Sequence, residues 1–468
     1  MPAAALPHHP IRESNRRLPS KPDRLLRRID EREAKFLSGH ASKCHDLPQL
    51  TPVRELDHPV RSTPSPKSEL PMQAQPEGRR EANLALLLRT LRARGPLSRT
   101  QLTTRSGLSK ATVAPLLTDL EQRGLTEPAG TTTTQGRPGR LVQLRPGAVC
   151  GIGLDVHPGH LGATITDLTG DVRLRRQTSC DTSAPEHALD RLADLALKAL
   201  KDVPKAEWAG ITVAVPGRVD RTAGTVTAAR LRWRDVAVVD GLAARTGLPL
   251  SRFDLDHEAN LAACAEHDSD PVDHLVYLNG DHSVAAGVIA DGELVRGAHN
   301  RAGEVGHIVL DPTGSTLCAC GRRGCWETQV GLDAFLHACA PRHDRVHDPE
   351  LAPGERMAIV RARAERGDAR TLDALHRTAA ALASGLSVLV TVLNPGKIVL
   401  GGYFAALQDW LVAPLEQGRT RVTASTLGFA AGGKGGALAA LRRVLDDPTV
   451  VPVKDGPKTG GSPEGASA

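Results

Sequence analysis

The sequence predicts an α/β body preceded by a small basic winged helix-turn-helix module, and three observations carry that expectation. Charge is unevenly placed: residues 78–147 hold 12 Lys and Arg against 4 Asp and Glu, net +8, in a chain whose overall charge is +6. The same segment carries helix caps and a Gly turn at the spacing of two short joined helices. Beyond residue 148, apolar strand-like runs alternate with helical patterns, the order of an α/β domain. With 468 residues, 40% of them hydrophobic, the chain can fill two or three cores, and 8 Cys are too few for a disulfide scaffold of that size. No run reaches the 18 to 20 apolar residues of a membrane span and no signal core follows Met1, so a soluble, cytoplasmic protein is expected.

Composition divides the chain into four segments. Residues 1–77 are rich in Pro and charge and are expected to be a disordered basic extension, with Met72 as a possible true start or, alternatively, a basic arm that touches phosphate. Residues 78–147 form the basic module and residues 148–446 the large domain. Residues 447–468 are read as a disordered tail.

Within the basic module, Asn83 to Leu91 shows one apolar helix face that closes at Gly95-Pro96. Ser98 and Gln101 have the capping-box spacing, so a second helix starts there and runs to Ser106-Gly107. Ser109 caps a third helix, Lys110 to about Arg123, with Val113, Leu116, Leu117 and Leu120 on one face. Leu125 onward and Leu141 to Leu144 read as the two strands of a wing. Such a module binds double-stranded DNA, its third helix in the major groove, with Lys110 and Thr112 reaching base edges. Arg99 and Arg105 suit phosphate, and the wing sequence Gly136-Arg-Pro-Gly-Arg140 suits a narrow minor groove through Arg137 and Arg140. A solvated basic surface is the plain alternative. Pro115 should kink the third helix, since it removes one helical hydrogen bond. One winged helix reads a short site, so a homodimer or homotetramer on a palindromic operator is expected.

The large domain opens with three strands (Val149–Asp155, His160–Asp167, Asp171–Gln177), a helix from about Pro185 to Lys201, and a strand Trp208–Val215. That order looks like half of a two-lobed fold of the actin and hexokinase (RNase H-like) type. His307 with Cys318, Cys320 and Cys325 makes a Cys3His set, the donor combination of a closed structural zinc site, with Gly321 and Gly324 allowing the tight turns. Glu304-Val-Gly-His307, Cys318-Ala-Cys-Gly-Arg-Arg-Gly-Cys325-Trp-Glu327 and Asn394-Pro-Gly-Lys-Ile-Val-Leu-Gly-Gly402 together resemble the ROK family (repressor, open reading frame, kinase), and the order of modules is that of its repressor branch.

The resemblance implies that sugar hydroxyls are held by Glu304, His307 and Glu327, and that the Asn-Asp pair of the kinases falls on His257-Glu258. A Glu at the catalytic Asp position displaces the base by about an ångström, enough to cost around a hundredfold in rate. The kinases' D-x-G-G-T phosphate segment is Asp155-Val-His-Pro-Gly159 here, where Pro158 has no N–H. Their second phosphate segment reads Gly280-Asp-His-Ser-Val-Ala-Ala-Gly287, with a carboxylate where phosphate should lie. The expected function is therefore a zinc-containing DNA-binding regulator, a repressor, that senses a sugar or sugar phosphate without catalysis. The alternative is a ROK-type ATP-dependent sugar kinase with a DNA-binding appendage.

Overall fold

The computed structural model describes residues 76–131, 139–202, 207–314, 316–348, 351–415 and 419–454. The extension, Met72, the final residues 455–468 and Arg137 of the wing lie outside the described residues. The first helix, α1 (Pro76–Arg94), begins two residues before the expected module boundary. It is followed by β1 (Leu97–Ser98), α2 (Arg99–Ser106), α3 (Lys110–Gln122), β2 (Thr126–Thr131) and β3 (Arg140–Leu144). The capping box forms as expected: the Gln101 N–H donates to Ser98 Oγ at 3.3 Å while the Ser98 N–H donates to Gln101 Oε1 at 2.8 Å. Gly107 ends α2 in the left-handed region at φ 71°, and Ser109 caps α3 by accepting from Thr112 N–H at 3.1 Å. α3 continues through Pro115 as one element, so the proline does not break it. The sequence missed β1, which joins the wing in the order β1-β3-β2.

The body repeats one sheet pattern twice. Its first lobe holds β4 (Val149–His157), β5 (His160–Asp167), β6 (Val172–Ser179), α4 (Pro185–Asp202), β7 (Glu207–Val215), the small strands β8 (Arg218–Asp220), β9 (Thr225–Ala228) and β10 (Trp233–Ala237), α5 (Val238–Thr246), β11 (Phe253–His257) and α6 (Glu258–Ser269). The second holds β12 (Leu275–Gly280), β13 (Val284–Ala290), β14 (Glu293–Val295), α7 (Glu327–Val330), α8 (Leu332–Cys339), α9 (Pro353–Glu365), α10 (Ala369–Leu393), β15 (Lys397–Gly402), α11 (Tyr403–Ala406), α12 (Gln408–Leu411) and β16 (Arg421–Ala424), after which α13 (Ala431–Asp446) returns to pack on β4, β5 and β7 of the first lobe and on α6. In the order β11-β7-β4-β5-β6, the strands β4, β5 and β6 are antiparallel neighbours, whereas β7 and β11 add in parallel. The order β14-β13-β12-β15-β16 repeats this, with β12, β13 and β14 antiparallel and β15 and β16 parallel. Each lobe has its own core: Ile152, Leu154, Leu192 and Trp233 in the first, Trp326, Phe335, Tyr403 and Leu386 in the second.

One helix in the second lobe, α10, is long and apolar enough by length and composition alone to cross a membrane, although, as expected, it has no unbroken apolar run of that length. Its Leu375, Leu382, Leu386 and Leu389 are buried in the second lobe, while Val392 and Leu393 at its end are exposed. Among the described residues the winged helix has no separate core. Leu84, Leu87, Leu88, Leu102, Leu117 and Leu120 share one apolar cluster with Val149, Leu168 and the α13 residues Leu438, Leu441, Val444 and Leu445. The tail expected to be disordered from residue 447 instead continues ordered to Lys454. Buried Val451 joins that shared cluster, and the Arg123 guanidinium donates to the Thr449 carbonyl at 3.0 Å.

Candidate metal centre and adjoining cavity

His307 ends a single helical turn that begins after Glu304, and the three cysteines lie on a loop pinned by bridges Val309↔Cys325 and Leu317↔Arg323. Gly324 is required there: its φ is 70°, and a Cβ would sit 1.7 Å from the Asp311 carbonyl oxygen. His307 and the three Sγ atoms all lie within 4.8 Å of one another. Cys318 Sγ is 3.5 Å from His307 Nδ1, and Cys320 Sγ is 3.6 Å from Cys325 Sγ. A tetrahedral zinc bonded to sulfur and nitrogen would place such donors about 3.6 to 3.8 Å apart, so the residues present fit the ion. Desolvation pushes the Cys320 thiol up, but hydrogen bonds from the Arg322 backbone and side chain and from Cys325 outweigh it and bring the thiol down to about 6. Burial and the Glu327 carboxylate push Cys318 up instead, as its thiol donates to Glu327 Oε1 at 2.8 Å.

The centre forms one wall of a cavity of about 880 Å³ lined by His257, Arg301, Glu304, His307 and Glu327 among others. Glu304 Oε2 is 3.8 Å from His307 Nε2 and Glu327 Oε1 is 3.7 Å from His307 Nδ1, so two carboxylates flank one imidazole. Carboxylates and imidazole in this density accept and donate to several hydroxyls at once. His257 reaches the cavity with one ring nitrogen already used, since Nδ1 accepts from the Ala259 N–H at 3.1 Å and caps α6. Sequence reasoning missed Arg218, Arg230, Arg301 and Arg322, which give the same cavity a cationic side. Isolated arginines scattered over a hundred positions carry no local spacing signal.

Glu258, expected with the sugar ligands, is not among the residues lining that cavity. The structure buries it with His157 and Asp281, where the carboxyl ends of β4, β11 and β12 meet. His157 Nδ1 lies 3.4 Å from Asp281 Oδ2 and 3.6 Å from Glu258 Oε2. Burial raises the Glu258 carboxyl above its ordinary range, with His157 opposing the rise. The two segments that resemble altered phosphate loops thus face each other through side chains rather than bare backbone.

Of the expected DNA contacts, Arg99, Arg105, Lys110 and Arg140 are exposed. Thr112 is half-buried, and its hydroxyl lies 2.9 Å from Ser109 Oγ at the helix cap. Arg123, not singled out from sequence, is tied inward to Asp119 at 2.7 Å.

A model of the ROK family matches residues 151–428, more than half of the chain. The chain belongs to the ROK family. A model of the MarR family matches residues 82–127 of this ROK chain, the helices of its winged module. The xylose repressor of Bacillus subtilis (strain 168) is 26% identical over 328 residues, 69% of this chain and 82% of that protein. A glucokinase of Halalkalibacterium halodurans is 29% identical over 223 residues, 46% of this chain and 67% of its own. A crystal structure of a ROK family transcriptional regulator, a homologue of the E. coli MLC protein, matches with a TM-score of 0.63 at 22% identity. That match covers 79% of this chain and 97% of the other, and it shows the shared fold.

Proposed function

We propose that this ROK protein is a sugar-responsive transcriptional repressor that binds DNA through its winged helix and carries zinc at His307, Cys318, Cys320 and Cys325. In this reading the body binds a sugar or sugar phosphate at Glu304, His307, Glu327 and His257 and does not phosphorylate it. The observation that carries the reading is the shared apolar core between the winged helix and α13. α13 also packs its glycine-rich first half against β4: a Cβ on Gly153 would lie 1.8 Å from the Gly433 carbonyl oxygen. Movement of the first lobe on ligand binding therefore reaches the DNA module through α13 and through Val149 and Leu168, which share the same cluster. A ligand shifts the DNA-binding state only by its difference in affinity for the two states.

His307, Cys318, Cys320 and Cys325 would hold zinc, which would tie the loop together, and His307 and Glu327 line the cavity beside it. Glu304 orients the other face of the same imidazole, so ligand hydroxyls meet a prearranged wall. Loss of kinase activity is supported by Asp281 and Pro158 in the phosphate segments and by the burial of Glu258 away from the cavity. The test is binding to the protein's own upstream DNA across a panel of sugars and sugar phosphates, beside an ATP-turnover assay over the same panel. The reading requires ligand-dependent DNA affinity without turnover. Glu304→Gln should keep operator affinity within about twofold and abolish the ligand response. Turnover of ATP with any hexose would favour a kinase with a DNA-binding appendage.

A further inference from the structure

The His157, Glu258 and Asp281 cluster is not used by the proposed regulator, yet each of its parts is prepared for a ligand. Glu258 Oε1 accepts from Asn279 Nδ2 at 3.0 Å, while its Oε2 is buried without a hydrogen-bond partner. Asp281 repeats this division of labour: Oδ1 accepts from the His282 N–H at 2.8 Å, leaving Oδ2 turned toward His157. The ring nitrogen facing the other way, His157 Nε2, is 3.2 Å from Asp155 Oδ1. A carboxylate behind an imidazole in this way fixes the tautomer and leaves the opposite nitrogen's lone pair free, the outer partner typical of a metal-binding histidine.

The separations of 3.4 and 3.6 Å from His157 Nδ1 exceed those of a good N–H···O bond, about 2.7 to 3.2 Å. They match instead the edges of a tetrahedron around an ion 2.0 to 2.2 Å from nitrogen and oxygen donors, about 3.3 to 3.6 Å. Charge points the same way. Three buried carboxylates, Asp155, Glu258 and Asp281, surround one imidazole, and a proton on that ring leaves an excess of negative charge out of water. A divalent ion at the common centre offsets more of it and gives Glu258 Oε2 a partner.

We infer that His157 Nδ1, Glu258 Oε2 and Asp281 Oδ2 bind a divalent first-row transition ion, of the zinc or manganese class, at a site separate from the cysteine centre. One imidazole with two carboxylates suits such ions. The ligands come from the end of β4, the start of α6 and the residue after β12, so the ion joins the first lobe to the second across the cleft. Asp155 acts as a positioning residue for His157.

Cobalt(II) added to the full chain tests this, because thiolate-to-cobalt charge transfer marks the cysteine centre alone. Two equivalents should bind, the first with near-ultraviolet charge transfer and the second with visible d–d bands only. His157→Gln and Glu258→Gln should each lose the second equivalent and keep the first, and the retained charge transfer reports an intact fold. Asp155→Asn should weaken the second site about 10- to 100-fold. Uptake of a single equivalent by the unaltered protein, or a second equivalent that survives both ligand substitutions, would overturn the site.

Discussion

Leu441 sits where the DNA module and the body share their interior, and its truncation measures how tightly the two are joined. The side chain is fully buried, and a Cβ on Gly151 of β4 would lie 3.1 Å from its Cγ. Leu441→Ala removes three carbons and leaves a cavity whose walls are strand backbone and packed helices, which relax little. A cost of about 3 to 4 kcal/mol is expected, in the middle of the range for such changes. The unfolding entropy of about 2.1 cal/mol/K per residue, over roughly 380 residues, makes that about 4 to 5 °C in Tm. Because Leu441 belongs to the same cluster as Leu84, Leu88 and Leu120, the winged helix and the body should melt in one transition, and the variant should lower it as a whole. Calorimetry with near-ultraviolet circular dichroism reads this directly. Two separate transitions in the unaltered protein, with only one moved by the substitution, would refute the shared core and with it the route from ligand to DNA.

Other outcomes follow from single residues. Cys325→Ser should lower the zinc content by about one per chain and destabilise the loop, checked by elemental analysis and thermal melting. Asp119 is held below the usual carboxylate range: desolvation pushes it up, but hydrogen bonds from Arg80 and Arg123 outweigh that push. Its folded pKa is the lower one, so its contribution is complete above the unfolded pKa near 4 and is lost as pH falls through the folded value. Asp119→Asn should therefore flatten the acid limb of the stability profile below about pH 4 and leave Arg123 without its carboxylate partner at neutral pH, seen in urea midpoints against pH. Lys110→Ala should relax base preference at one position of the operator, whereas Arg99→Ala should weaken all sequences alike and lower the salt slope by about 1. Equal effects of both substitutions on every sequence would reduce Lys110 to a phosphate contact.

What the sequence determined by itself was whatever is settled by neighbours a few positions apart. The Ser98 to Gln101 box, the Ser109 cap, the strands from Val149 to Gln177 and the converging cysteines are all matters of short spacing, because backbone capping, side-chain alternation and a tight metal loop are decided within about ten residues. The helix Ala431–Asp446 gave no such sign. Gly432, Gly433, Gly435 and Gly436 are poor helix formers, and the helix exists because β4 and α6 approach its backbone too closely for side chains: a Cβ on Gly435 would lie 1.8 Å from the Leu261 carbonyl oxygen. The ordered stretch to Lys454 was equally hidden, since its partners, Arg123 and the winged-helix core, lie more than three hundred residues earlier. The meeting of His157, Glu258 and Asp281 was decided only by tertiary structure. The duplicated sheet order points the carboxyl ends of β4, β11 and β12 at one place, so three side chains that read separately as two damaged phosphate loops and a displaced base become one buried cluster.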